Sequence, residues 1–337
     1  MSIEWHGRLT YRLRGLLVLL WVSLRVTVSR LLHGSKLSEW TWVIETTTTY
    51  LRLQERIAFG LPTIAQQREY MDALVVYSSE LAHMQIEVVE VDGMKGRWFV
   101  PRAAASAPVI LYLHGGGYAF SIRAHDNLIA FVALAAQARI FALDYRLAPE
   151  HPFPAQLEDA QTAYHWLLSS GIDREQIVIA GDSAGGNLAL TLLLALHDAQ
   201  QPLPKLAICL SPWTDMDSSY RSLKENEPYD WIERRMVVRW AEWFCRGTDP
   251  QNPLVSPVHA DLRGLPPIYI QAGDAELLID MIRVFVDKAK AQGASVTLEV
   301  WKQMNHVFQA YGPIMQQSKE ALQRIGEVIQ SEVFGVP

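Results

Sequence analysis

The residues best placed to do chemistry surround Ser183, in the stretch Gly181-Asp182-Ser183-Ala184-Gly185-Gly186-Asn187. An apolar, β-branched run at 177–180 leads into it, and a helical run begins at Leu188. A serine between glycines at a strand-to-helix junction reads as a nucleophile elbow, a turn sharp enough to lift the hydroxyl above a sheet. Gly181 and Gly185 remove Cβ atoms that would clash with the adjacent strand or helix. The amide of Ala184 then lies at a helix N-terminus, ready to donate to an oxyanion.

Upstream, His114-Gly115-Gly116-Gly117-Tyr118 follows a second apolar run at 109–113. Consecutive glycines after a strand make a loop whose amides can turn toward one point, as the other half of an oxyanion hole requires. Losing one such donor costs about 2.7–4 kcal/mol of barrier. Downstream, Asp274, Glu276 and Asp280 follow the apolar run 268–270, and His306 follows a strand-like run at 296–301. Among the ten histidines, His306 alone lies late in the chain, after a strand and beyond the acids. His259 precedes the acids. The order nucleophile, acid, histidine is that of the α/β-hydrolase triad.

These motifs, with Asp144-Tyr145-Arg146-Leu147-Ala148-Pro149-Glu150-His151-Pro152 between them, resemble those of the hormone-sensitive lipase-like carboxylesterases, the bacterial fold-3 group of α/β-hydrolases. The resemblance spans roughly residues 85 to 335. It implies an α/β fold with a mostly parallel eight-stranded sheet, flanking helices and a helical cap. It also implies Ser183 as nucleophile, His306 as base, and the amides of Gly116, Gly117 and Ala184 as oxyanion donors. Many members of the family carry Asp-Pro-Leu-x-Asp, whereas this chain has Glu276-Leu277-Leu278-Ile279-Asp280. Aligning the final aspartate puts Glu276 at the catalytic acid, with Asp274 as the alternative. Glu150 and His151 are expected to bind backbone and shape the loop beneath the nucleophile, not to react.

A length of 337 residues with 50% apolar content suits one hydrolase core with a cap. The net charge of −6 and the lack of a long basic run argue against a nucleic-acid partner. The two cysteines, Cys209 and Cys245, have no metal-ligand spacing, and no metal or cofactor is expected. The absence of a disulfide framework fits a reducing, cytoplasmic setting. There is no phosphate-cradling motif, internal repeat or low-complexity tract.

The first 60 residues carry an apolar run, Gly15 to Leu24, with Arg8, Arg12 and Arg14 before it and Arg25 and Arg30 after it. These arginines break a membrane span, and the run ends in Trp21-Val22-Ser23-Leu24-Arg25, not in a small-residue cleavage site. Leu13, Leu17, Leu20, Leu24, Val28 and Leu31 form one stripe at helical spacing. The favoured reading is a cap helix that packs on the active-site mouth, and the other is a basic amphipathic helix that touches membrane. On either, removing the segment is expected to leave Ser183 reactive. Self-association into a homodimer stays open.

Beyond residue 60, strand signals at 84–91 and 96–100 flank an Asp92-Gly93 turn and read as an antiparallel pair. Further signals recur at 109–113, 140–143, 177–180, 206–210, 268–272 and 296–301. Helical stretches intervene at 156–169, 188–197 and 281–292, and one closes the chain at 315–333. Such alternation implies a parallel sheet with helices on both faces. From Trp213 to Val255 strand signals stop. Trp231, Trp240, Trp243 and Phe244 there read as a second cap segment, with one or two aromatics expected in the pocket. The expected division is 1–60 cap, 61–212 core, 213–255 cap and 256–337 core.

The reading is a serine carboxylesterase for short- to medium-chain esters, acting through Ser183, His306 and Glu276 and an acyl-enzyme. The partner is a small-molecule ester. Acyl transfer by the same triad is one alternative, and a non-catalytic small-molecule-binding protein on the same fold is another.

Overall fold

The inner strands of a sheet covered on both faces read as near-continuous apolar runs, because neither face meets water. The structure, a computed structural model, describes residues 2–91, 93–102 and 108–335. Asp92 of the expected turn lies outside them, as do residues 1, 103–107, 336 and 337 of the expected segments. Two short strands, β1 (Ser2–Trp5) and β2 (Leu74–Tyr77), pair antiparallel outside the main sheet. Eight more build that sheet: β3 (Met84–Val91), β4 (Met94–Pro101), β5 (Val109–Leu113), β6 (Arg139–Leu143), β7 (Ile177–Asp182), β8 (Leu206–Leu210), β9 (Ile268–Gly273) and β10 (Val296–Trp301). Their order is β10-β9-β8-β7-β5-β6-β4-β3. Strands β10 through β6 run parallel, while β4 pairs antiparallel with both β6 and β3. Every residue of β5, β7, β8 and β9 is buried.

Helices cover both faces. On one side α4 (His125–Ala136) and α10 (Gln316–Phe334) pack Ile129, Ile325 and Ile329 against Ile110, Val178 and Ile208. On the other lie α5 (Ala155–Ser169), α6 (Ala184–Asp198) and α9 (Ile279–Ala291), with Leu188, Leu192 and Phe285 against Leu111, Ile179 and Ile270. Helix α6 starts at Ala184, four residues before the apolar run suggested. Its first turn holds Gly185 and Gly186. A Cβ on Gly185 would collide with the carbonyl of Leu113. Residues 213–255 contain the short α7 (Ser222–Glu225), a 3₁₀ turn at Glu227–Tyr229, α8 (Arg234–Phe244) and loops, and α8 buries Met236, Val237, Trp240 and Phe244.

The N-terminal segment forms α1 (Leu9–His33) and α2 (Trp42–Phe59), followed by α3 (Ile64–Met71). Thr41 caps α2 by accepting from the amide of Ile44 at 3.3 Å. The favoured reading of α1 is corrected here. The stripe expected to pack inward faces solvent, from Val28 at 46% exposed to Leu31 at 81%. The face that packs carries Gly15, Val22 and Val26. Gly15 has no side chain, so α1 settles against Gln54 and Tyr50 of α2. The narrow valines fit behind it.

Candidate active site

Chemistry in open parallel sheets gathers at the C-terminal strand ends. Here Leu113 pairs with Gly181 and Trp301 with Gly273, so β5, β7, β9 and β10 end at one edge. The glycine loop leaves β5, Ser183 leaves β7, the acid loop leaves β9 and His306 follows β10. Ser183 has φ 54° and ψ −117°, a conformation a side chain seldom adopts. The strain is held by hydrogen bonds: its amide donates to Leu210, and its carbonyl accepts from Trp213 and Asn187.

His306 Nε2 lies 2.9 Å from Ser183 Oγ. On the far side of the ring, Nδ1 faces Glu276 Oε1 at 3.7 Å. That is an ion-pair distance, beyond a hydrogen bond, and both atoms are buried without another partner. The other carboxylate oxygen is fixed, accepting from Ser211 Oγ at 2.7 Å and the Gly273 amide at 2.8 Å. Burial opposes a charged imidazole, but Glu276, reinforced by Asp230 and Asp182, outweighs it and holds His306 above its ordinary pKa. Asp274 points elsewhere, accepting from the Gln303 amide. Asp280 accepts from the Ser222 amide at 2.9 Å.

The amides of Gly116, Gly117 and Ala184 have no acceptor among the described residues. Gly116 has φ 103°, which places its loop in backbone space that favours glycine. Ser183, His306, Gly116 and Gly117 share one cavity of about 150 Å³ with Trp231, Trp240 and Leu51. Two of the four aromatics read from 213–255 therefore line it.

The matched family model carries the description alpha/beta hydrolase fold and covers residues 110–310. An acetyl-hydrolase of Streptomyces hygroscopicus is 41% identical over 73% of this chain and 82% of its own length. An esterase of Acinetobacter venetianus is 31% identical over 78% and 88%. A crystal structure of an esterase from the bacterial hormone-sensitive lipase family superposes with a TM-score of 0.78 at 38% identity, covering 85% of this chain and 98% of that one. The chain belongs to the hormone-sensitive lipase-like α/β-hydrolases. The enzyme is a carboxylic ester hydrolase.

Several of the hydrolase's site residues carried no clear signal in the sequence. Asp230, fully buried, accepts from the amides of Leu277 at 2.8 Å and His306 at 3.3 Å. It thereby ties residues 213–255 to both the acid and the histidine loops. Burial raises its pKa to about 6, with His306 opposing and Glu276 adding. Asp182 accepts from Tyr112 Oη at 2.8 Å and the Gly115 amide at 3.1 Å, and its second oxygen lies 3.5 Å from His125. It couples the elbow to the glycine loop, and its place beside Ser183 was the available hint. Glu55 of α2 lines the cavity, where burial, then Glu233, lifts its pKa to about 7.

Thr47, Leu51 and Glu55 of the N-terminal segment form a wall of the cavity. Glu150, expected to shape its loop through backbone contacts, pairs mainly with the two terminal guanidinium nitrogens of Arg68, each at 2.8 Å. Arg68 in turn donates to the carbonyls of Ala119 and Ala148, fastening α3 to the glycine loop.

Proposed function

We propose that the chain hydrolyses short- to medium-chain carboxylic esters through Ser183, His306 and Glu276. The observation that carries this is the 2.9 Å approach of His306 Nε2 to Ser183 Oγ inside a mostly apolar cavity. Ser183 Oγ attacks the ester carbonyl while Nε2 takes its proton. The amides of Gly116, Gly117 and Ala184 receive the developing oxyanion. His306 then protonates the departing alkoxide, leaving an acyl-serine. Water, deprotonated by Nε2, attacks the acyl carbon and releases the acid. Glu276 holds the proton on Nδ1 and stabilises the imidazolium. That role needs the 3.7 Å gap to shorten when substrate fills the cavity, since catalytic hydrogen bonds are often long without substrate.

Cavity size supports the acyl range. About 150 Å³ is the volume of an engineered void that holds one benzene molecule, and Trp231 and Trp240 bound it. The acetyl-hydrolase relative acts, by its name, on a short acyl group. On this reading, residues 1–60 and 213–255 form the cap, and 61–212 and 256–337 the core. A fluorophosphonate that labels Ser183, together with rates over p-nitrophenyl esters of graded length, tests the proposal. No labelling, or rates still rising at long chains, would overturn it.

A further inference from the structure

Among the described residues, nothing covers the apolar outer face of α1. Leu9, Leu13, Leu17, Leu20, Trp21, Leu24, Val28, Leu31 and Leu32 are all exposed. At about 100° per residue they fall within one arc of roughly 140°. The buried Gly15, Val22 and Val26 lie on the opposite side of the helix. Arg12 and Arg30 border the apolar arc on one flank, and Arg14 and Arg25 on the other. The helix has no acidic residue in a chain whose net charge is −6.

We infer that α1 is a membrane-surface helix, lying in the plane of an anionic lipid bilayer with its leucine face in the acyl boundary and its arginines among the head groups. An apolar arc edged on both sides by arginines, of which Arg30 is paired with Glu45 at 2.8 Å, matches that boundary. Exposed Trp5, Trp21 and Trp42 add aromatic rings suited to the same depth. A cleft of about 710 Å³ opens beside the arc, lined by Arg25, His33, Lys36, Arg52 and Arg56 and also by Glu45 and Asp230, with Arg52 and Arg56 paired to Glu233. Burial, then repulsion from Arg52, disfavours the charge on Lys36 there, with Glu45 opposing and Arg25 adding.

The helix is long and apolar enough to cross a membrane by composition. Its inner face, however, is held on α2, so spanning would strip Val22 and Val26 from their packing. A second copy of the chain fits less well than lipid. A two-fold dimer sets like patches face to face, which would bring these arginines together with no acid on the helix to neutralise them. Because α2 backs α1 and also walls the Ser183 cavity, docking sets that cavity about one helix diameter, ~10 Å, from the lipid.

The test is co-sedimentation of the full chain with vesicles of phosphatidylcholine alone or mixed with phosphatidylglycerol. The wild type should pellet with mixed vesicles, bind phosphatidylcholine weakly, and be released by alkaline carbonate. A Leu17→Gln, Leu20→Gln, Leu24→Gln variant should lose at least tenfold in partitioning, and an Arg14→Gln, Arg25→Gln variant several-fold. Hydrolysis of p-nitrophenyl butyrate should be unchanged in both, which shows that they fold. Binding is read without catalysis, so its failure is separate from failure of the ester-hydrolysis proposal. Four results would overturn the inference: wild type left in the supernatant, a triple variant that binds as wild type does, retention through carbonate, or a vesicle-indifferent dimer that the triple variant dissociates.

Discussion

The side-chain amide of Asn305 donates to the hydroxyl of Thr48 at 2.8 Å, joining α2 to the residue before His306. Asn305 also donates to Tyr311 Oη at 3.1 Å, and Tyr311 and Thr48 are themselves 2.8 Å apart. This buried triangle makes the N-terminal segment part of the support for the histidine. Thr48→Val keeps the shape and removes the hydroxyl, leaving buried polar groups short of a partner. Such a loss costs about 1–3 kcal/mol. The expected result is a lower Tm together with a fall in kcat, read by calorimetry and by ester turnover on the same preparation.

Ser183→Ala should abolish ester hydrolysis and fluorophosphonate labelling while circular dichroism stays that of the wild type. More than a few per cent of residual activity in a clean preparation would remove Ser183 from its role.

Glu276→Gln should lower kcat by orders of magnitude, since a comparable change in a serine protease costs about 10⁴. Asp274→Asn should cost far less, because that carboxylate serves the Gln303 amide. The pH profile gives a second readout. His306 must be neutral to accept the proton, and Glu276 is the chief group that raises its pKa against burial. The acid limb of kcat/KM should therefore lie above the ordinary histidine range and move to lower pH in Glu276→Gln. The opposite ranking of the two variants would transfer the acid role to Asp274.

Glu55 links the cavity to stability. Its pKa in the fold is about 7, against an ordinary 4.5, so the folded chain holds this proton more tightly than the unfolded one. The stabilising contribution is complete below pH 4.5 and is lost as pH rises through 7. The loss is on the order of 3 kcal/mol. Glu55→Gln is uncharged throughout. It should melt several degrees above the wild type at pH 8 and close to it at pH 4.5. Equal differences at both pH values would contradict a buried, raised carboxyl.

Trp240 sits over Gly117, where an added Cβ would strike the indole. Trp240→Ala should lengthen the pocket, shifting the best p-nitrophenyl ester to a longer acyl chain. Each additional buried CH₂ gains about 0.8 kcal/mol. An unchanged chain-length optimum would place the end of the pocket elsewhere.

The sheet was legible because each inner strand is a continuous apolar run closed by glycine or polar residues, as at 109–113 and 206–210. The glycine loop and Ser183 were legible because their residue types follow those strands directly, and His306 because it comes shortly after the end strand β10 and beyond the acids. Strands β1 and β2 were not, since four residues show no period and their pairing joins Ser2 to Tyr77. The direction of the α1 stripe was not legible either. Periodicity reports that the leucines share a face, but only Gly15 and its close neighbours on α2 decide which face turns inward. Asp230 escaped notice because its use depends on a long-range contact, 76 residues from His306. An aspartate between a tyrosine and a tryptophan looks the same in any loop.

The order of parts along the chain also sets a timetable during synthesis. Ser183 and His306 are separated by 123 positions, and β10, which leads to His306, is the last of the described strands to be made. At ~5–20 residues per second, a ribosome exposes the serine for roughly 6 to 25 s before His306 follows it. On the proposed mechanism Ser183 is an ordinary alcohol throughout that interval, and the nascent polypeptide would attack no ester until β10 has docked on β9.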